Sequence, residues 1–241
     1  MPRRLRVVLL QIRTHPEAER QEQLCFLERC DLAPDQLVPR NLVARPALTW
    51  ADVEAADAVL IGGAGSHSVT RDYPFTAPLT AVLLRLIDEE RPVFGSCWGH
   101  QLLARALGGT VLTDPARGEV GTFAVELTPA AAADPLFAGF PRRFDVQLGH
   151  HDRVESLPPG VEELAYSEVC RNQALRVVGK PVYGSQFHSE MNVGHMRARL
   201  RMYRDAYLPA EQAEDELDLI LRPTPEADQI LGRFLDLYVR G

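Results

Sequence analysis

Apolar runs alternate with polar, helix-forming stretches along the first 110 residues. Leu5–Ile12 is a nearly continuous apolar run, typical of a strand covered on both faces. The same kind of pattern predicts strands at Leu5–Ile12, Gln36–Val43, Ala58–Ile61 and Val93–Phe94. Helices are predicted at Pro16–Cys30, Ala51–Ala56, Thr76–Glu90 and Leu102–Gly109. This alternation predicts an α/β fold with a mainly parallel central sheet and helices on both faces.

Two of these helices have predicted inward faces. In Thr76–Glu90 the apolar residues fall on one stripe at helical spacing, namely Leu79, Val82, Leu83, Leu86 and Ile87. Pro16–Cys30 is more polar, and its inward residues are predicted to be Leu24, Phe26 and Leu27. The glycine-rich run Gly62–Ser66 follows the third strand and is expected to end regular structure there.

The pattern changes after Thr110. Short apolar stretches alternate with Pro, Gly and Asp and predict antiparallel strands at Phe123–Leu127, Phe144–Leu148, Glu163–Ala165 and Ala174–Val178. The tail predicts two helices, Val193–Tyr207 and Glu226–Tyr238. Without a linker of Gly, Ser or Pro, we expect one domain over residues 1–241, with the motifs in 55–192 and a helical tail at 193–241.

Composition narrows the classes of function. The 241 residues are 46% apolar and carry a net charge of -7, so no nucleic-acid or anionic-membrane partner is expected. The arginines of the first tail helix are interpreted as its solvated face: Arg197, Arg199, Arg201 and Arg204.

The N-terminal run Val7–Leu10 is too short for a signal-peptide core or a membrane span. The four cysteines are then expected to be free thiols in a reducing cytoplasm. Cys25 and Cys30 face differently on one helix, and Cys170 is interpreted as a small buried residue.

The first chemical motif is Gly95–Gln101, with the sequence GSCWGHQ, between the Val93–Phe94 strand and the next helix. Gly95 and Gly99 relieve crowding at a sharp strand-to-helix turn that would expose Cys97. Unpaired N–H groups and the helix macrodipole at such a position favour the thiolate. The alternative interpretation is a structural core thiol.

The second motif lies 91 residues later, in a run that ends in His188-Ser-Glu190. In an extended chain residues i and i+2 share a face, so the Glu190 carboxylate can reach the His188 ring. Alone, the pair would be an ordinary strand pair. Together with Cys97 it supplies a nucleophile, a base and an orienting carboxylate, as covalent acyl transfer needs.

The two motifs together resemble the class I, triad-type glutamine amidotransferases, a flavodoxin-like fold. That resemblance implies that Cys97, His188 and Glu190 are catalytic. It further implies that the backbone N–H groups of Gly63 and Trp98 form an oxyanion hole and that Gln101 helps hold glutamine. Ser189 stands where many relatives carry proline.

Two further stretches resemble stand-alone, GMP-synthetase-like amidotransferases: Gly118–Gly121 and Gly149–Val154. By that likeness they line the glutamine pocket, with Gly121 and His151 as substrate-binding residues. Neither a cofactor nor a metal is expected. His100, His150, His151 and Asp152 lack a ligand spacing, and the Gly62–Gly65 run lacks the Lys-Ser/Thr of a phosphate cradle.

Three functions remain open from the sequence. The first is a glutaminase that releases ammonia for an acceptor on another chain, since nothing here resembles a nucleotide-activating Ser-Gly-Gly-x-Asp loop. The second is a γ-glutamyl peptide or amide hydrolase with the same triad. The third is a binding protein on this scaffold, which the intact triad disfavours.

Overall fold

The computed structural model describes residues 4–204 and 217–241. Eleven strands are described: β1 (Val7–Ile12), β2 (Leu37–Asn41), β3 (Ala58–Ala64), β4 (Val93–Ser96), β5 (Thr110–Thr113), β6 (Glu119–Leu127), β7 (Arg143–His150), β8 (Asp152–Ser156), β9 (Val161–Ser167), β10 (Ala174–Val177) and β11 (Val182–Ser185). The described α-helices are α1 (Pro16–Arg29), α2 (Thr76–Asp88), α3 (Trp98–Ala106), α4 (Pro129–Ala132), α5 (Val193–Met202), α6 (Leu217–Ile220) and α7 (Ile230–Leu235).

One nine-stranded sheet has the order β2-β1-β3-β4-β11-β10-β9-β6-β7. The first five strands are mutually parallel, and the remaining four join them in antiparallel pairs. The predicted fold class is therefore confirmed. Strands β5 and β8 form a separate antiparallel pair that the sequence pattern did not predict.

The core lies on both faces of this sheet. Along β1, Val7 and Leu9 pack with α1 and α7, whereas Val8 and Leu10 pack on the opposite face with α2 and α3. This alternation explains why β1 is apolar throughout. The predicted stripe of α2 is buried as expected, from Leu79 to Ile87.

The inward face of α1 was predicted correctly for Phe26, which is buried, and for Leu27, which packs partly buried against the core, but incorrectly for Leu24. The side chain of Leu24 is 56% exposed, while Glu22 is fully buried beside Ala18, Cys25 and Phe26. The reason is an ion pair: the Arg13 guanidinium donates to Glu22 Oε1 at 2.5 Å, and both side chains are inside the protein. A carboxylate that is paired in this way can be buried, so Glu22 rather than Leu24 faces the interior.

The end of β3 also differs from expectation. The strand does not stop at Ile61 but continues through Gly62 and Gly63 to Ala64. Gly62 lies directly against Glu22, because a Cβ atom there would come 2.5 Å from Glu22 Oε1. The glycines therefore permit close packing within the strand rather than ending it.

The tail forms shorter helices than predicted. Helix α5 ends at Met202, and residues 205–207 of the predicted helix lie outside the described residues. Arg199 is buried and donates to Gln21 Oε1 at 2.7 Å, so the expectation of a fully solvated arginine face is wrong at this position. The final predicted helix is divided into a 3-10 turn at Ala227–Gln229, α7, and a π-helical turn at Asp236–Arg240. Across residues 4–204 and 217–241, no helix combines the length and apolarity needed to cross a bilayer.

The Arg13–Glu22 pair generates a stability prediction. Glu22→Gln should lower the free energy of unfolding by about 3–5 kcal/mol, because it leaves a buried guanidinium without its anionic partner. The matched control is Glu89→Gln, which breaks the exposed Arg85–Glu89 pair and should cost less than about 0.5 kcal/mol. Urea denaturation of both variants measures the difference, and equal losses would contradict the importance of the buried pair.

Candidate active site

Three neighbouring parallel strands end side by side at one edge of the sheet. Strand β4 lies between β3 and β11, with Ser96 in register with Ser185 of β11. The Cys97 N–H donates to the Ser185 carbonyl at 2.7 Å, which ties the first residue after β4 to its neighbour. The residues that follow these strands are consequently brought together, as expected for the carboxyl ends of a parallel sheet.

Cys97 occupies a sharp turn between β4 and α3. Its backbone has φ +50° and ψ -99°, a left-handed conformation that is uncommon for a residue with a side chain. A Cβ at Gly95 would come 2.5 Å from the Gly99 backbone, and one at Gly99 would come 2.5 Å from the Ile61 carbonyl oxygen. The turn can form only because both positions lack side chains.

His188 and Glu190 form a buried pair just beyond β11. His188 Nδ1 lies 2.6 Å from Glu190 Oε1, and the other carboxylate oxygen accepts from the Ser96 hydroxyl at 2.8 Å. The His188 backbone N–H donates to the Gln147 carbonyl at 2.9 Å. The His188 residue is therefore fixed by Glu190, which is held in turn by Ser96 of β4, and by the Gln147 carbonyl of β7.

The electrostatics of this pair favour a charged imidazole. Burial alone would lower the pKa of His188, but the Glu190 carboxylate and the Cys97 side chain raise it to about 9. The Cys97 side chain is thus a neighbour of the ring, whose Nδ1 is bonded to Glu190. Burial works in the opposite sense on Glu190, yet His188 and Ser96 hold the pKa of that carboxyl below its ordinary value.

Gly63 lies at the junction of these groups. A Cβ at this position would come 3.1 Å from His188 Cε1 and 3.6 Å from Cys97 Cβ, so only glycine leaves this space open. Trp98 follows Cys97 directly and is the first residue of α3, where backbone N–H groups have no partner within the helix. Both backbone segments that the sequence predicts as an oxyanion hole thus flank Cys97.

A cleft of about 230 Å³ opens above the thiol. Its lining includes Cys97, Trp98, Gln101, Gly149 and His151. The Gly149 carbonyl oxygen lies 3.9 Å from Cys97 Sγ and forms part of the cleft wall. A small substrate entering this cleft would meet the sulfur at its base.

Comparison with known proteins agrees with this geometry. The family model described as glutamine amidotransferase class-I matches residues 40–204. The chain belongs to the class-I glutamine amidotransferase family. It is accordingly an enzyme of the class that hydrolyses C–N bonds with a cysteine nucleophile.

Two curated relatives are each named as one subunit of a glutamine-hydrolysing GMP synthase. The protein from Archaeoglobus fulgidus is 34% identical over 149 residues, covering 62% of this chain and 73% of the relative. That from Thermococcus kodakarensis is 35% identical over 134 residues, covering 56% and 68%. A solved glutamine amidotransferase from Thermotoga maritima superposes with a TM-score of 0.78 at 23% identity, over 99% of this chain and all of the other, which shows a shared fold.

Gln101 of this amidotransferase is buried beneath the cleft. Its side-chain amide donates to the Asp152 carbonyl at 2.7 Å and to Gln186 Oε1 at 3.0 Å. Gln186 Nε2 in turn lies 3.6 Å from Cys97 Sγ. Sequence analysis missed Gln186, although its position two residues before His188 in an extended run places both on one face.

The two predicted substrate-binding residues from the GMP-synthetase-like stretches are placed differently. His151 lines the cleft. Gly121 lies in β6 with φ +119°, and a Cβ there would come 2.8 Å from the Ile220 carbonyl oxygen of α6. Gly121 does not belong to the cleft lining, and contact with α6 accounts for the need for glycine. Direct substrate contact by either residue stays a prediction.

The residues considered as a metal cluster are not brought together as a group. Asp152 instead accepts hydrogen bonds from the hydroxyls of Ser68 and Thr113, each at 2.6 Å. His100 is fully buried against Gly184, and this burial lowers its pKa to about 4. His150 lies against Glu119, 3.1 Å from its carboxylate. Asp152 therefore holds the loop at residues 65–70 in place and does not join these histidines in a metal site.

The buried pair predicts a measurable change in titration. In Glu190→Gln the pKa of His188 should fall from about 9 toward or below its ordinary 6.5, because burial lowers it and the main anionic partner is gone. Ser96→Ala retains the carboxylate and should preserve most of the elevation. Histidine-selective NMR titration of both variants measures this, and an unchanged His188 pKa in Glu190→Gln would refute the coupling.

Proposed function

We propose that this chain hydrolyses the side-chain amide of glutamine through a Cys97–His188–Glu190 triad and a glutamyl thioester. The observation that carries the proposal is a buried imidazole that pairs with a carboxylate and lies beside a thiol at the ends of adjacent strands. Membership of the class-I amidotransferase family supports the same substrate and reaction.

In this mechanism the Cys97 thiolate attacks the amide carbon, and the carbonyl oxygen becomes an oxyanion. The backbone N–H groups of Gly63 and Trp98 donate to that oxyanion. The C–N bond then breaks as the His188 imidazolium gives its proton to the departing nitrogen, which leaves as ammonia. His188 next takes a proton from water, whose oxygen attacks the thioester, and glutamate and the thiolate are released.

Glu190 has an orienting role in this mechanism. Its bond to Nδ1 directs Nε2 of His188 toward the sulfur and stabilises the imidazolium. The Ser96 hydroxyl fixes the second carboxylate oxygen, so the ring cannot turn without breaking two buried contacts. We assign Gln101 and Gln186 the role of orienting groups around Cys97 and the bound glutamine.

The released ammonia is proposed to serve an acceptor on another chain. The curated relatives are named as one part of a multi-subunit GMP synthase, and this supports a separate synthetase chain as the partner. We also propose that residues 1–241 act as a single amidotransferase domain. Packing of α7 against the same sheet that carries the triad supports this, since the tail contributes to one shared core.

Loss of the thiol should abolish the activity. Cys97→Ala is expected to reduce ammonia release from glutamine by at least about 10⁴-fold, because the nucleophile is gone. A γ-glutamyl chloroketone-type inhibitor should modify the wild-type chain at the peptide that contains Cys97, as measured by mass spectrometry. The matched control, Cys30→Ala, removes another buried thiol. It should still be modified by the inhibitor at Cys97 and should hydrolyse glutamine at the wild-type rate.

A substrate panel distinguishes the possible leaving groups. Prompt cleavage of γ-glutamyl peptides with negligible glutamine hydrolysis would overturn the glutaminase proposal while preserving the triad. Failure of the inhibitor to modify Cys97 would overturn the triad itself.

The oxyanion hole gives a separate prediction. Gly63→Ala should lower kcat for glutamine about 100-fold or more with a smaller change in KM, because its Cβ pushes against the His188 ring and displaces the donor. Gly194→Ala is the matched control: among the described residues, its Cβ would meet only Asn192 Oδ1, at 3.3 Å. Steady-state kinetics and circular dichroism test both variants, and a normal kcat in folded Gly63→Ala would remove Gly63 from the mechanism.

A further inference from the structure

A second cluster of reactive side chains lies at the wall of the cleft, where one of its members, His150, is a lining residue. It consists of Glu119 at the start of β6, His150 at the end of β7 and Cys170 between β9 and β10. One ligand-type atom from each lies within 4.8 Å of the other two, and all three residues are at most 3% exposed. No step of the proposed glutamine hydrolysis uses this cluster.

The hydrogen bonds of His150 leave one position that a cation would fill. Nδ1 lies 3.0 Å from the Asp152 carbonyl oxygen, which can only accept, so Nδ1 carries the hydrogen. Nε2 of a neutral ring is then a lone pair, yet it lies 3.1 Å from the Glu119 carboxylate. Two electron-rich groups in contact inside a protein require a proton or a metal ion between them.

The surroundings of Glu119 also indicate a missing positive charge. One of its oxygens, Oε1, is buried without a hydrogen-bond partner among the described residues. The other oxygen accepts from Gln173 Nε2 at 2.5 Å as well as facing His150. A fully buried carboxylate with an unpartnered oxygen is costly unless positive charge lies nearby.

We propose that Glu119, His150 and Cys170 bind a thiophilic divalent cation of the zinc class. Thiolate, imidazole and carboxylate are the three ligand types that Zn²⁺ takes in proteins, whereas Mg²⁺ and Ca²⁺ prefer oxygen alone. His150 Nδ1–H donates a hydrogen bond to a backbone carbonyl, and the side-chain amide of Gln173 donates one to Glu119. Hydrogen bonds of this kind orient metal ligands.

The cluster has both an entry path and a connection to the cleft. A surface groove of about 560 Å³ reaches Glu119 and is lined also by Ser167, Glu168 and Val169. On the other side, His150 follows Gly149, whose carbonyl contacts Cys97 Sγ. His150 itself lines the cleft, so a bound cation would brace the cleft wall through one of its own residues.

Without a metal, the cysteine keeps its proton. Burial and the Glu119 carboxylate raise the pKa of Cys170 to about 12, and its thiol donates to the Arg117 carbonyl at 3.2 Å. Metal binding must replace this S–H proton by a metal–sulfur bond and release the proton to solvent.

The test uses Co²⁺ as a spectroscopic substitute for Zn²⁺, in the full chain carrying Cys97→Ala so that the catalytic thiol cannot bind the ion. One equivalent of Co²⁺ should produce thiolate-to-cobalt charge-transfer absorption, which one equivalent of Zn²⁺ abolishes and excess Mg²⁺ does not. Adding Cys170→Ala should remove the absorption and weaken Zn²⁺ binding by more than about 100-fold. Gln173→Met should weaken it about 10-fold.

Cys30→Ala in the same background is the matched control and should bind as the parent does. The proposal is overturned if no charge-transfer absorption develops, which would leave a proton in the cluster, or if Cys170→Ala leaves binding unchanged. Should Cys170→Ala fail to fold, Glu119→Gln provides the same test with the shape of the side chain retained. These readouts are independent of glutamine hydrolysis.

Discussion

The adjacency of β3, β4 and β11 is the constraint on which the site depends. Parallel strands with matched ends bring Gly63, Cys97 and His188 to one edge although 125 residues of sequence separate the first from the last. The contact distances leave no room for further side chains, which is why Gly95 and Gly99 flank the thiol and a left-handed conformation is accepted at Cys97. Fold and proposed chemistry are therefore inseparable here: moving one strand end would separate the proposed nucleophile, Cys97, from the proposed base, His188.

Because the side chains at this edge are buried, each charged group there needs a partner of opposite charge or a hydrogen bond. His188 and Glu190 are removed from water, and their mutual attraction together with the Ser96 hydroxyl offsets the desolvation of both. Behind Gly63, the Arg13–Glu22 ion pair does the same from the adjacent helix. Neither pair gains its position from hydrophobic patterning. Each persists because removing one partner would leave a charge inside the protein, and such mutual dependence keeps the proposed catalytic groups prearranged.

The sequence predicted best where a local rule governs. Helical periodicity located α2 and its buried face, and the glycine-flanked cysteine located the elbow. It failed where long-range partners decide burial: Glu22 displaces Leu24 from the core because Arg13 lies opposite, and Arg199 is buried beside Gln21. The β5–β8 pair was missed because its strands are short, half exposed and joined across many residues. Contacts of this kind leave no periodic trace in the chain.

The antiparallel half of the sheet supplies the wall of the cleft. The parallel half supplies the thiol at the floor of the cleft and the imidazole beside it, but little to cover them. The end of β7 and the start of β8, residues 149–152, form the facing wall, where the Gly149 carbonyl reaches the sulfur and Asp152 accepts from Ser68 and Thr113. His150, between them, points back to Glu119 on β6. This wall is thus fixed by contacts with three separate elements, so its distance from the thiol is set by the added strands and not by the catalytic motifs themselves.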